Sequence, residues 1–182
     1  MQNKSNTYKI ALVGLFTALS YLGARINFPL AIAGGKTMFH LGNSFCLIAA
    51  LLLGGVWGGT AGALGMALFD LTSEGYQYYV PQTLILKFFI GIICGFLFKR
   101  LTIKNDSLRL LISCSAAMLF NIIFDPLASF LTSKYIIGAP KELSALIAKW
   151  AAGTTFANAL IAIAIASVLY KALKTALFEK GI

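Results

Sequence analysis

Acidic side chains are scarce in this chain: six Asp and Glu and a single His stand among 182 residues, and charged residues make up only 12% of the whole. Soluble domains carry about 25% charged residues, so too little polar surface exists to cover a water-facing globule. Cysteine is scarce too. Cys46, Cys94 and Cys114 each lie singly inside an apolar run, without the paired spacing of a zinc site or a disulfide framework, and such cysteines act as small core hydrophobes. No His-Glu-x-x-His spacing is present, so no metal and no catalytic residue is assigned. The AGGKT stretch at Ala33–Thr37 resembles the end of a phosphate-binding loop, but that pattern needs glycine at position 30, where Leu30 stands. The chain is therefore expected to have no ATPase and no cofactor of its own.

What the sequence has in quantity is apolar residue. The hydrophobic share is 59% and the mean hydropathy is +0.83, which makes a bilayer the natural solvent. The formal charge of +9 would elsewhere point to nucleic acid. Here the basic residues lie between apolar blocks, which fits membrane topology and excludes a nucleic-acid partner. A spanning helix needs about 20 mostly apolar residues. Six candidates meet or approach this: Tyr8–Arg25, Leu41–Val56, Gly58–Leu71, Leu84–Lys99, Leu108–Leu131 and Leu146–Leu173. The N-terminus reads as the first span rather than a cleaved leader. The expected fold is all-α, one polytopic membrane domain over residues 1–182, with six transmembrane helices.

Orientation follows from Lys and Arg near the span ends. With both termini inside, the inner face receives Lys4, Lys9, Lys99, Arg100, Lys104, Arg109, Lys171, Lys174 and Lys180. The outer face receives Arg25, Lys36, Lys87, Lys134, Lys141 and Lys149. That bias favours N-in, C-in. Three outward loops then follow, Ile26–His40, Thr72–Thr83 and Thr132–Ala145, whereas the inner turn between the second and third spans is only GGVWGG. Long irregular loops are where binding functions tend to lie.

Ionisable residues at membrane depth mark functional sites by default. His40 and Asn43 precede the second span, Asp70 ends the third, Glu74 follows it, and Lys87 begins the fourth. Asn121 and Asp125 are spaced i,i+4 on the fifth span and share a face, which Ser129 extends. The sixth span carries Lys149, Trp150, Thr154 and Asn158. In this topology all lie in the outer half and can line one cavity, with Tyr76, Tyr78, Tyr79, Phe39 and Trp150 as flat walls for a ring. The alternative is that Asp70, Asp125, Lys87 and Lys149 pair with one another and staple helices. An intramembrane enzyme using His40, Asp70, Glu74 and Asp125 as acids and bases is a further alternative from another class.

Three stretches, ALVGLFTALSYLGARI, HLGNSFCLIAALLLGGVWGGTAGALGMALFDLTSEGY and VPQTLILKFFIGIICGFL, together with six spans, resemble the substrate-binding S components of energy-coupling factor (ECF) vitamin transporters. The resemblance implies a subunit of a bacterial plasma membrane that captures a vitamin outside and topples in the membrane. It works there with a transmembrane T component and two ATPase subunits that use the ATP. It also implies that small residues of the first helix, here Ala11, Gly14 and Ala18, meet the T component. The usual alanine-xxx-alanine pattern is only approximated, since Gly14 and Leu22 interrupt it. The HLGN…LFD layout is most similar to S components assigned to hydroxymethylpyrimidine or vitamin B6-type rings. Pantothenate, held by Lys87 and Lys149, and riboflavin are the alternatives. The expected substrate-binding set is His40, Asn43, Asp70, Glu74, Tyr78, Lys87, Asn121, Asp125, Lys149, Trp150, Thr154 and Asn158.

Overall fold

Six apolar stretches fold into six helices, joined at one place by a small sheet. The computed structural model describes residues 4–32 and 35–176. Ala33, Gly34 and Lys180 lie outside the described residues, as do the side chains of Lys4 and Lys36. Helix α1 (Lys4–Arg25) leads into strands β1 (Asn27–Ile32) and β2 (Gly35–His40). Helices α2 (Gly42–Leu53), α3 (Gly55–Leu71), α4 (Val80–Arg100), α5 (Asp106–Leu131) and α6 (Lys141–Lys174) follow. A short 3₁₀ turn, Gln77–Tyr79, precedes α4, and a π-helical turn, Thr132–Ile136, continues α5.

The all-α class holds, with four helices long and apolar enough to cross a bilayer: Thr7–Arg25, Gln77–Arg100, Asp106–Ile136 and Lys141–Lys174. Helix α2 is shorter. Its 12 residues rise about 18 Å, less than the hydrocarbon thickness of about 30 Å. It survives because it is sheathed in protein rather than lipid: α2 packs against α1, α3, α4 and α6, and Leu47, Ile48, Cys46 and Ala49 are fully buried. Phe16, Ile90, Met118 and Ala166 complete the core around it. Large apolar side chains elsewhere point outward, among them Leu15, Leu22, Leu64, Phe96, Leu119 and Leu160. On a water-soluble protein such a surface would aggregate; in a bilayer it is the lipid contact.

The inner turn differs from expectation. The six residues GGVWGG do not form a loop, because a single glycine suffices. Gly54 adopts φ +88°, a left-handed conformation that costs glycine little, and α3 begins at Gly55. The remaining glycines become packing surface. A Cβ on Gly58 or Gly62 would run into Ala50 or Cys46 of α2, and one on Gly91 would run into the backbone of Gly59. In lipid, where no hydrophobic force drives helices together, such close approach supplies the dispersion contact that holds them.

The first outer loop is a second correction. Strands β1 and β2 within it pair antiparallel, with Asn27 opposite His40 and Ile32 opposite Gly35. Pro29 is tolerated because β1 is the edge of a two-stranded sheet, where a missing N–H breaks no second ladder. The third outer loop is also shorter than expected, since α5 runs on through the π turn and α6 begins at Lys141 after a turn at Gly138, φ +78°.

Two glycine substitutions separate packing from mere helix propensity. Gly91→Ala is expected to lower stability by about 1–3 kcal/mol, the usual range for overpacking, seen as a lower unfolding temperature in detergent. Gly14→Ala, whose added methyl meets nothing within 4 Å, is expected to be neutral or slightly stabilising in the same measurement.

Candidate functional site

Successive helices alternate in direction, and so the polar residues near the C-terminal end of α3, the N-terminal halves of α4 and α6, and the C-terminal half of α5 meet at one end of the bundle. Together with Asn43 at the start of α2 and strand β2 they enclose a cavity of about 100 Å³. Of the residues expected there, His40, Asn43, Asp70, Lys87, Asn121, Asp125, Thr154 and Asn158 line it. The i,i+4 spacings of Asn121 with Asp125 and of Thr154 with Asn158 place both pairs on cavity-facing stripes.

The charged side chains do not pair with one another. Asp70 Oδ2 accepts a 2.5 Å bond from the Thr83 hydroxyl. Asp125 Oδ2 accepts from Thr155 at 2.6 Å and its Oδ1 accepts from Gln82 Nε2 at 3.3 Å. Lys87 Nζ donates to Asn121 Oδ1 at 3.2 Å. Gln82 knits α4 to the end of α5, because its Nε2 also donates to Ser129 Oγ while its Oε1 accepts from Thr132. Each charge is thus held by neutral neighbours and keeps hydrogen-bonding capacity in reserve: Lys87 has donors beyond the one in use, and the carboxylates have further lone pairs. Asn43 Oδ1 and the Tyr76 hydroxyl are buried without a hydrogen-bond partner, and both residues line the cavity. Buried polar atoms are normally satisfied, and both of these are able to hydrogen-bond a ligand in the cavity.

Asn158 has a different use. Its Oδ1 accepts the His40 N–H and its Nδ2 donates to the Met38 carbonyl, both at 3.0 Å. One side-chain amide therefore engages strand β2 as another strand would, and Thr37 reinforces it with a 2.7 Å bond to Thr154. His40 stays neutral: burial first, and then the Lys87 charge, push its pKa down to about 3. Its Nδ1 accepts the Gly42 N–H at 3.2 Å, locking the junction between β2 and α2. Burial, then the negative charges nearby, push Tyr76 up to about 12, so its phenol remains a donor.

Four expected residues lie outside the cavity. Helix α3 ends at Leu71, where Thr72 caps the Leu68 carbonyl through its hydroxyl, and Gly75 at φ +84° diverts the chain; Glu74 is therefore on the exposed loop. The 3₁₀ turn has three residues per turn, so Tyr76 and Tyr79 share the cavity face and Tyr78 points away, 55% exposed. On α6 the cavity stripe is Ile147, Ala151, Thr154, Thr155 and Asn158; Lys149 falls on the opposite side and Trp150 at the edge, 46% exposed. Residues missing from the expected set include Gln82, Thr83, Thr155, Met38 and Met66. The i,i+1 to i,i+5 run Gln82, Thr83 and Lys87 on one helix start offered a signal; Met38 and Met66, apolar residues in apolar stretches, offered none.

Removing the Asn158 clasp tests its role. Asn158→Ala leaves the His40 N–H and Met38 carbonyl unpaired, at a cost of about 1–3 kcal/mol. Faster hydrogen exchange at the β2 amides, with the helical amides unchanged, is the expected result.

A family model described as "ECF-type riboflavin transporter, S component" matches residues 4–175, nearly the whole chain, while no curated protein matches it. With its apolar helices and its polar cavity, the chain belongs to the S components, the substrate-binding subunits of ECF-type transporters.

Proposed function

We propose that the cavity takes up a small heteroaromatic vitamin or precursor, a single pyridine or pyrimidine ring with hydroxymethyl arms of the vitamin B6 or hydroxymethylpyrimidine type. The observation that carries this reading is the cavity's size joined to its chemistry. Its volume of about 100 Å³ admits roughly seven to ten water-sized spheres, below the several hundred cubic ångströms of sites for drug-sized ligands. One ring fits that measure better than three fused rings with a sugar-alcohol chain. Tyr76 and Tyr79 offer flat surfaces, while Asn43, Asp70, Lys87, Asn121 and Asp125 offer donors and acceptors for ring nitrogens and hydroxyls. A carboxylate ligand such as pantothenate is disfavoured because Lys149 lies outside the cavity and two carboxylates lie inside it. Riboflavin remains the second reading, supported by the substrate named in the matching family's description.

In this reading the chain works in the plasma membrane, multi-pass, N-in and C-in, with a transmembrane T component and two ATPase subunits supplying the energy. The exposed stripe Ala11, Gly14 and Ala18 on α1 fits a close helix–helix contact with the T component, since small residues let backbones approach. No turnover is expected of the chain alone.

Two measurements test this. The purified chain is heated with pyridoxine, hydroxymethylpyrimidine, pantothenate and riboflavin in turn, and whatever co-purifies is identified by mass spectrometry. A ligand that binds only the folded state at 100-fold its Kd raises stability by about 2.7 kcal/mol; a shift with a single-ring compound is expected, and a shift with riboflavin alone selects the second reading. Gly14→Leu is expected to retain ligand binding while uptake by the assembled transporter is lost; uptake at the normal rate removes the docking assignment.

A further inference from the structure

The cavity encloses unequal charge. It is lined by two carboxylates, Asp70 from α3 and Asp125 from α5, against one ammonium, Lys87 from α4. Asp70 and Lys87 are each only 5% exposed. The other elements around the cavity do not correct the imbalance. Strand β2 brings His40, neutral with its pKa near 3. The turn before α4 brings the Tyr76 phenol, which titrates near 12, together with Tyr79. Helix α2 brings Asn43, and α6 brings Thr154, Thr155 and Asn158. Among the described side chains that line the cavity, none supplies a second cation. Burying an uncompensated charge is costly, and the cost is relieved by bringing in the opposite charge.

We infer that the substrate is bound as a cation, with its ring nitrogen protonated, and that Asp70 is the acceptor of that proton's hydrogen bond. This rests on the single-ring reading above and adds the protonation state to it. Asp70 is the better placed of the two carboxylates. Thr83 occupies Oδ2 and leaves the other oxygen for a ligand, whereas both oxygens of Asp125 already accept bonds from Gln82 and Thr155. Lys87 and Asn121 stand across the cavity as partners for an oxygen substituent on the same ring. The step is a simple equilibrium: the ring nitrogen takes one proton from water and donates it in an N–H⁺ bond to the carboxylate. No other bond forms or breaks.

The sign of the pH effect follows. A ring nitrogen that is mostly unprotonated in neutral water has its pKa raised on binding. Affinity is then greatest between the acid range, where Asp70 itself takes up a proton and loses its hold on a cation, and the alkaline range, where the free ligand's ring is neutral. It declines as pH rises, by up to tenfold per unit, until the pKa of the bound form is reached. Pocket selectivity takes the same form, since a benzene analogue of the same shape cannot carry the proton.

Calorimetric titration of the purified chain with pyridoxine and with hydroxymethylpyrimidine, in two buffers of different ionisation enthalpy, measures the protons taken up. Uptake approaching one proton per ligand above the free ligand's pKa, with affinity declining as pH rises, is the expected result. In Asp70→Asn uptake vanishes and the weakened affinity becomes independent of pH, while Asp125→Asn keeps the uptake. Should Asp70→Asn not fold, Lys87→Met serves instead: removal of the cation makes the cavity more negative and raises the bound form's pKa, so the decline in affinity starts at the same pH and continues to a higher one before it levels. A ligand that binds with no proton uptake and a flat pH profile overturns the inference and leaves the single-ring reading intact. Affinity that depends on sodium rather than on pH overturns it as well, as does uptake that survives in Asp70→Asn or a decline that levels at the same pH in Lys87→Met. Failure of every single-ring compound to bind falls on the single-ring reading instead.

Discussion

Placing polar side chains at membrane depth is possible only if the protein itself supplies their partners, and the architecture of this chain is organised around that constraint. Two carboxylates and one ammonium line the cavity, and each is met by a neutral hydrogen-bonding group from another helix: Asp70 by Thr83, Asp125 by Thr155 and Gln82, Lys87 by Asn121. Direct pairing of Lys87 with a carboxylate would have spent the charges on stability. Holding them apart through hydroxyls and amides keeps them available to a ligand, and leaves Asn43 and Tyr76 with polar atoms still unsatisfied.

The rest of the fold makes room for that end. A helix as short as α2 cannot cross a bilayer alone, yet it can begin at the cavity because α1, α3, α4 and α6 surround it. Glycine is what allows the neighbours so near: α3 lies on α2 through Gly58 and Gly62, and on α4 through Gly59 and Gly91. Cys46 serves the same packing against Gly62, and Cys94 and Cys114 bring their sulfurs to 3.8 Å at the α4–α5 contact as buried free thiols. At the cavity end the hairpin closes over α6, fastened by the Asn158 amide and the Thr37–Thr154 bond. Asn158 lines the cavity as expected, and its amide is at the same time engaged with the hairpin.

Legibility divided along physical lines. Apolar runs and basic flanks announced the helices, because partition into lipid depends on composition and length. The i,i+4 pairs on α5 and α6 were readable because helical periodicity alone decides which residues share a face. The hairpin was not, since Pro29 and the glycines around it look equally like an irregular loop until the strands pair. Tyr76, Tyr78 and Tyr79 were all expected as walls, and Tyr78 alone entered the binding set, because choosing among neighbouring tyrosines requires the pitch of a three-residue turn. Glu74 was drawn in by extrapolating α3 one turn past the point where Thr72 and Gly75 end it. Lys149 and Trp150 were placed by depth along α6 without regard to its rotation.

By itself, then, the sequence determined that this is a helical membrane protein whose rare polar residues gather toward one end, because hydropathy and periodicity are local properties that lipid reads directly. Tertiary structure decided which of those residues share a cavity, how large it is and which side chains are already committed to the protein. Those outcomes depend on helix rotation, on a six-residue strand pairing and on backbone contacts at a few glycines, where a displacement of one residue changes the face that looks inward.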